Sequence, residues 1–255
     1  MQQTLTLWQT YSKFKRQKGK LKINFMFVIF SVFFVGVFFV ACFAKGNEQV
    51  LWSEKHKFYF VMVGENLSTS SANACRKRIE SAGGAGTIVG ESSGNYACVI
   101  FVYDDENSAE KIRKSSQKIF DYCYIKCVST QSLSKKIQNS IKNEPQILRC
   151  FEYLFEINDV LKTNLFDYEK GNISFSALCK QTLKSKNKID DLEKGVTGET
   201  DLEKEVLTSL SVLSGLAGSF LEQSIKGESD VMMYRKLCVQ VALEIIEINK
   251  KAMHV

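Results

Sequence analysis

At 255 residues with 45% hydrophobic side chains, the chain is long and apolar enough to bury real cores, as one large domain or two small ones, which excludes disorder as its organising state. The formal charge of +6 is equalled by Lys13, Lys15, Arg16, Lys18, Lys20 and Lys22 alone. The remainder is close to neutral, which excludes a large nucleic-acid footprint.

Residues 1–23 form a basic tail. The run Phe25–Ala44, inside a segment spanning 24–45, carries no formal charge and is rich in Phe and Val. At about 1.5 Å per residue a helix of that length matches a bilayer core of about 30 Å. The segment reads as a transmembrane helix. Its N-terminal flank is basic, whereas Lys45, Glu48, Glu54 and Lys55 beyond it are mixed in sign. The positive-inside rule therefore predicts a single-pass cell-membrane protein with a cytoplasmic N-terminus and extracytoplasmic domains. Two rival readings stand beside the anchor. A cleaved signal peptide has a shorter apolar region, of about 7 to 15 residues. The stretch FVAC, residues 39–42, resembles the end of a bacterial lipoprotein signal, with Cys42 as the lipidated residue.

Eight cysteines in an exported chain would suggest disulfides. Cys98 falls in a strand pattern, however, and Cys150, Cys179 and Cys238 fall on separate helical stretches, so buried free thiols are expected. Cys123 and Cys127 lie on one predicted strand, about 13 Å apart when extended, too far to bond to each other. Their spacing is not a zinc spacing either.

Residues 57–64 (KFYFVMVG) read as a strand. Residues 68–82 read as a helix, with Ala72, Cys75, Ile79 and Ala82 at helical spacing and Ser68–Ser71 as caps, and GGAG at 83–86 breaks it. Thr87–Val89 and Tyr96–Tyr103 are strands separated by a polar turn. The stretch DDENSAEKIRKSSQKIF, opened by Asp104, Asp105 and Glu106, is a helix whose acidic start suits its positive end. YCYIKCVS is the last strand. This strand, helix, strand, strand, helix, strand order predicts an α+β fold: a ferredoxin-like βαββαβ module over residues 57–129.

Residues 143–255 form a second, helical domain. Pro145 suits a first helical turn, and Ile147, Phe151, Leu154, Ile157, Leu161 and Leu165 follow at helical spacing. Further helices are predicted from about Ser174 to Leu192, from Asp201 to Gln223 and from Asp230 to Lys250. The third starts with a capping box, Thr200-x-x-Glu203, and places Leu202, Val206, Leu210, Leu213, Ala217 and Phe220 on one face. Together they predict an α-helical bundle.

FVMVG at 60–64 resembles the first-strand signature of the SPOR (sporulation-related repeat) family. GNYACVIFVYDDENSAEKI at 94–112 is similar to that family's third strand and second helix. The resemblance covers residues 57–129. It implies a non-catalytic bacterial envelope protein that binds peptidoglycan glycan strands in cell division or sporulation, alongside envelope or divisome proteins and with no nucleic-acid partner. The sequence departs from the family's pattern at Met62, where a polar Gln is common, at Ala97, where Arg is common, and at FVY 101–103, which replaces GPF. Carried over to this chain, the glycan-binding positions are Phe60, Met62, Ala97 and Val99, with Tyr96 and Tyr103 as nearby aromatics.

Strand alternation would place Val61, Val63, Cys98 and Ile100 towards the module's helices. Phe58, Phe60, Met62, Ala97, Val99, Phe101 and Tyr103 would then lie on the open face. That face is apolar, and an apolar patch of such extent marks a partner or a cover. A second reading therefore stands: an assembly scaffold whose sheet face is covered by a partner or by the chain's own C-terminal helices.

No catalytic set, cofactor or metal site is expected. GESSG at 90–94 matches G-x-S-x-G, with Ser92 at the nucleophile position. A strand rather than a helix follows it, and the only histidines are His56 and His254, so it reads as a hairpin turn. Asp104, Asp105 and Glu106, and likewise Asp190 and Asp191, are explained by helix ends rather than by paired-carboxylate chemistry. GGAG follows a helix and precedes a strand, the wrong order for a dinucleotide loop. The lysine-rich stretch 180–188 reads as a solvated helix face.

Overall fold

The computed structural model describes residues 55–90, 94–131, 144–226 and 231–253. The elements are β1 (Lys57–Leu67), α1 (Thr69–Ser81), β2 (Thr87–Gly90), β3 (Tyr96–Tyr103), α2 (Glu106–Ser116), β4 (Cys123–Ser129), α3 (Glu144–Glu169), α4 (Phe175–Gly195), α5 (Asp201–Ile225) and α6 (Val231–Met253).

Local chemistry explains their ends. The Ser68 hydroxyl accepts from the Ser71 amide to cap α1, Asp105 accepts from Ser108 at 2.8 Å to cap α2, and Ser174 accepts from Ala177 to cap α4. The Asp105 carboxyl is held below its usual range, chiefly by these hydrogen bonds to Ser108. At the start of α5 the Thr200 hydroxyl accepts from the Glu203 amide, and the buried Glu203 carboxylate reaches back to the amides of Glu199 and Thr200. α1 ends at Gly83, where φ is +84°, and at Gly84, where a Cβ would sit 2.5 Å from the Ile79 side chain. The two glycines answer different demands, a left-handed backbone and a close approach.

The four strands form one antiparallel sheet in the order β2-β3-β1-β4. Opposite the Val61–Met62 step, β3 carries one extra residue, a bulge that moves the register from Phe101 to Val99. α1 and α2 pack against β1 and β3. Each helix from α3 to α5 packs on the next, and α6 packs on both α5 and α3, closing a four-helix arrangement. The positions spaced for its core, from Ile147 to Leu165 on α3 and from Leu202 to Phe220 on α5, are all buried. At its centre Tyr234 is fully buried, donates its hydroxyl hydrogen to the Leu161 carbonyl at 3.0 Å and stacks edge-on against Phe220.

The expected fold class is corrected. An α+β ferredoxin-like module standing apart from a helical bundle, behind a transmembrane helix, does not describe these residues. They are mostly helical, with six helices around one four-stranded antiparallel sheet, and sheet and bundle belong to one compact unit. The reason is the sheet's second face, which the C-terminal helices bury. The expected single-pass membrane localisation is corrected with it. Among the described residues no helix is long and apolar enough to cross a membrane, because each long helix carries charged residues along its length, as Arg235, Lys236, Glu244 and Glu247 do on α6. The segment 24–45, Cys42 included, lies outside the described residues.

Candidate functional site

The residues carried over from the SPOR resemblance lie together on β1 and β3, but inside the protein. Phe60 is 3% exposed and Met62 2%, while Ala97 and Val99 are fully buried. Tyr96 and Tyr103 are half-buried. Every residue of β3 from Ala97 to Val102 is buried, and since successive side chains point to opposite faces, the sheet is covered on both.

α3 and α6 supply the second cover. Phe155 stacks on Phe58 with ring centroids 6.3 Å apart, and Phe166 meets Phe101 edge-on at 6.2 Å and Tyr103 face-on at 6.3 Å. Burial, followed by the nearby Glu169 carboxylate, pushes the Tyr103 phenol well above its usual range. Polar contacts pin the cover at its margins. Arg235 donates to the Gly83 carbonyl and pairs with Glu169 at 2.7 Å, and Lys236 pairs with Glu80 at 2.6 Å. Asn249 exchanges two hydrogen bonds with the backbone of Gln131.

A cleft of about 670 Å³ at one margin is lined by Lys55, His56, Lys57, Asp104, Asp159 and Lys162, among others. Two of these, Lys162 and Asp104, form an ion pair. The Lys162 ammonium lies 2.5 Å from the Asp104 carboxylate and 5.2 Å from the centre of the Phe58 ring, with only 3% of the side chain exposed. His56 stacks on Phe155 with centroids 4.0 Å apart. The Asp104 side chain is 55% exposed and stays hydrated without its partner, whereas the Lys162 ammonium is withdrawn from water, so Lys162→Met is expected to leave stability within about 1 kcal/mol of the parent, or to raise it. Urea denaturation checks this, and a loss of about 3 kcal/mol or more would mean that the pair itself holds α3 to the sheet.

Ser92 lies outside the described residues, as does His254. The strands flanking GESSG pair antiparallel, from Thr87 opposite Val99 to Gly90 opposite Tyr96. The motif thus joins two paired strands, without the helix that would hold a serine in a strained elbow. Among the described residues no group of three or more His, Cys, Asp or Glu side chains is placed to hold a metal ion.

One surface remains that the sequence did not single out. Among the described residues β4 is an outer strand with β1 as its only sheet neighbour. The Gly64 amide donates to the Tyr122 carbonyl and the Thr130 amide to the His56 carbonyl, so the even-numbered residues of this stretch turn their backbone groups towards β1. By alternation, the amides and carbonyls of Cys123, Ile125, Cys127 and Ser129 point away from the sheet. At the start of this edge Tyr122 is 52% exposed, and its ring lies 5.4 Å from that of Tyr124. The loop before the strand is held in place: the Tyr122 hydroxyl donates to Glu65 at 2.8 Å, and Arg78 donates to the Ile119 carbonyl at 3.1 Å. Lys126, a single charge in an otherwise apolar strand, is the sequence signal for such an edge.

No protein family, curated protein or solved structure matches the chain.

Proposed function

We propose that this chain is a non-catalytic assembly protein that takes an extended segment of a partner protein along the outer edge of β4. The observation that carries this reading is the row of outward-facing backbone groups at Ile125, Cys127 and Ser129, with Tyr122 exposed at the start of the strand. Main-chain hydrogen bonds from such an edge supply affinity, and apolar side chains beside it supply selectivity. The other outer strand, β2, is only four residues long and has α6 packed against it. Glycan binding through Phe60, Met62, Ala97 and Val99 would need those side chains at the surface, and their burial takes away its support.

The test uses peptides selected for binding to the chain from a random library, with amide exchange read residue by residue. Binders that slow exchange at Ile125 and Cys127, and that lose about tenfold or more in affinity on Cys127→Pro, support the reading, since proline removes an outward donor and its ring blocks the incoming strand. Because the Cys127 backbone does not serve the ladder to β1, the variant should keep the parent's fold. Binders that protect another surface, or that ignore Cys127→Pro, would overturn it.

A further inference from the structure

β2 begins opposite Val99, so the stretch Phe101–Tyr103 of β3 has β1 on one side and no strand on the other among the described residues. Beside that stretch lies a cavity of about 290 Å³, walled by the ends of α1, α2 and α3 and by Arg235 of α6. Most of its wall is apolar. Ile112 and Ile119 come from α2 and the turn after it, and Leu165 and Phe166 from α3. Ile119 is 54% exposed, which places it at the mouth. Deeper in, the Tyr103 ring meets Phe101 edge-on at 5.2 Å and stacks on Phe166.

Two hydroxyls enter this apolar space without a partner. Ser116, at the end of α2, is 8% exposed and Tyr103 is half-buried, and neither hydroxyl makes a hydrogen bond among the described residues. A withdrawn hydroxyl in that state costs free energy that a bound donor or acceptor recovers. The charges at the cavity are matched already: the Arg235 guanidinium donates to the Gly83 carbonyl and pairs with the Glu169 carboxylate at 2.7 Å. A charged ligand would have to compete with that pair, whereas a neutral one leaves it intact.

We infer that this cavity is a binding site for a small neutral aromatic molecule bearing one or two hydrogen-bonding groups, of the phenol or indole type. Phe101, Tyr103 and Phe166 present ring faces and edges to such a ligand, and the Ser116 and Tyr103 hydroxyls bond its polar group. Apolar walls with a few convergent polar groups are the usual make-up of a small-molecule site. The volume stands at the lower end of the range of about 300–1,000 Å³ for such sites, which limits the ligand to one ring or two fused rings. The site is separate from the β4 edge and does not depend on what binds there.

The experiment titrates the full-length chain at about pH 7 with 2-naphthol, which is neutral, and with 2-naphthoate, which has the same rings and a negative charge, by isothermal calorimetry. Saturable one-to-one binding of 2-naphthol with Kd below about 1 mM is expected, at least about tenfold tighter than that of 2-naphthoate. Ser116→Ala and Tyr103→Phe each remove only a hydroxyl. Each variant should melt within about 2 °C of the parent and bind 2-naphthol about 3- to 10-fold more weakly. Absence of saturable 2-naphthol binding up to its solubility limit would overturn the inference, as would an affinity unchanged in both variants, or 2-naphthoate binding as tightly as 2-naphthol.

Discussion

Met62→Asp is expected to unfold the described part of the chain. Met62 is 2% exposed in the middle of β1, paired with Val99 on one side and Tyr124 on the other, within the continuous apolar core. A carboxylate placed there must stay charged without water or take up a proton, and either costs several kcal/mol. Natural domains hold only about 5–15 kcal/mol in reserve, so most or all of the stability goes. Near-UV circular dichroism should lose its native signal, and thermal unfolding should lose cooperativity. A variant that melts within about 3 °C of the parent would mean that Met62 faces solvent, as the SPOR resemblance implies.

A chain ending at Gln131 is expected to fail as a folded domain, although it keeps all four strands. It would expose the surfaces that Phe155 and Phe166 now cover on Phe58, Phe101 and Tyr103. Leaving Phe58 and Phe101 in water forfeits about 3–6 kcal/mol, comparable with the whole stability of a small domain. Light scattering should show association, with no sharp melting transition. A monodisperse fragment with a cooperative melt would show that residues 55–131 fold alone and that α3 and α6 are an accessory.

The elements were legible because each is written in local chemistry. The apolar run and the turn residues around Tyr96–Tyr103 delimited that strand without error, and the capping box at Thr200 placed the start of α5. The apolar stripes of α3 and α5 became core as their spacing required. α2 is shorter than expected, ending at Ser116, because the chain turns back through Lys118 and Ile119 before β4. The relation between the sheet and the C-terminal helices was much harder to read. Lys162 meets Asp104, and Arg235 meets Gly83, across separations of 58 and 152 residues, where no local pattern reaches.

One clue was present in the sequence and bears on the candidate site. YACVIFVY is apolar at nearly every position, and a strand open to solvent on one face alternates instead. The glycan-binding assignment treated one of its faces as open, and the same residues now form the inner layer beneath α3 and α6. The β4 edge depends on which strand ends up outermost, which is a property of the sheet's order rather than of YCYIKCVS itself. Lys126 was its one local trace.

The central claim is that the sheet face bearing Phe58 and Phe101 is internal, covered by the chain's own helices. Nuclear Overhauser contacts between phenylalanine rings, assigned through single Phe→Leu variants of selectively labelled protein, test it directly. Cross-peaks joining Phe58 to Phe155 and Phe101 to Phe166 are expected, from centroid separations of 6.3 and 6.2 Å. Their absence, with the Phe58 and Phe101 rings broadened by a solvent-borne paramagnetic probe, would contradict the account and return that face to the surface.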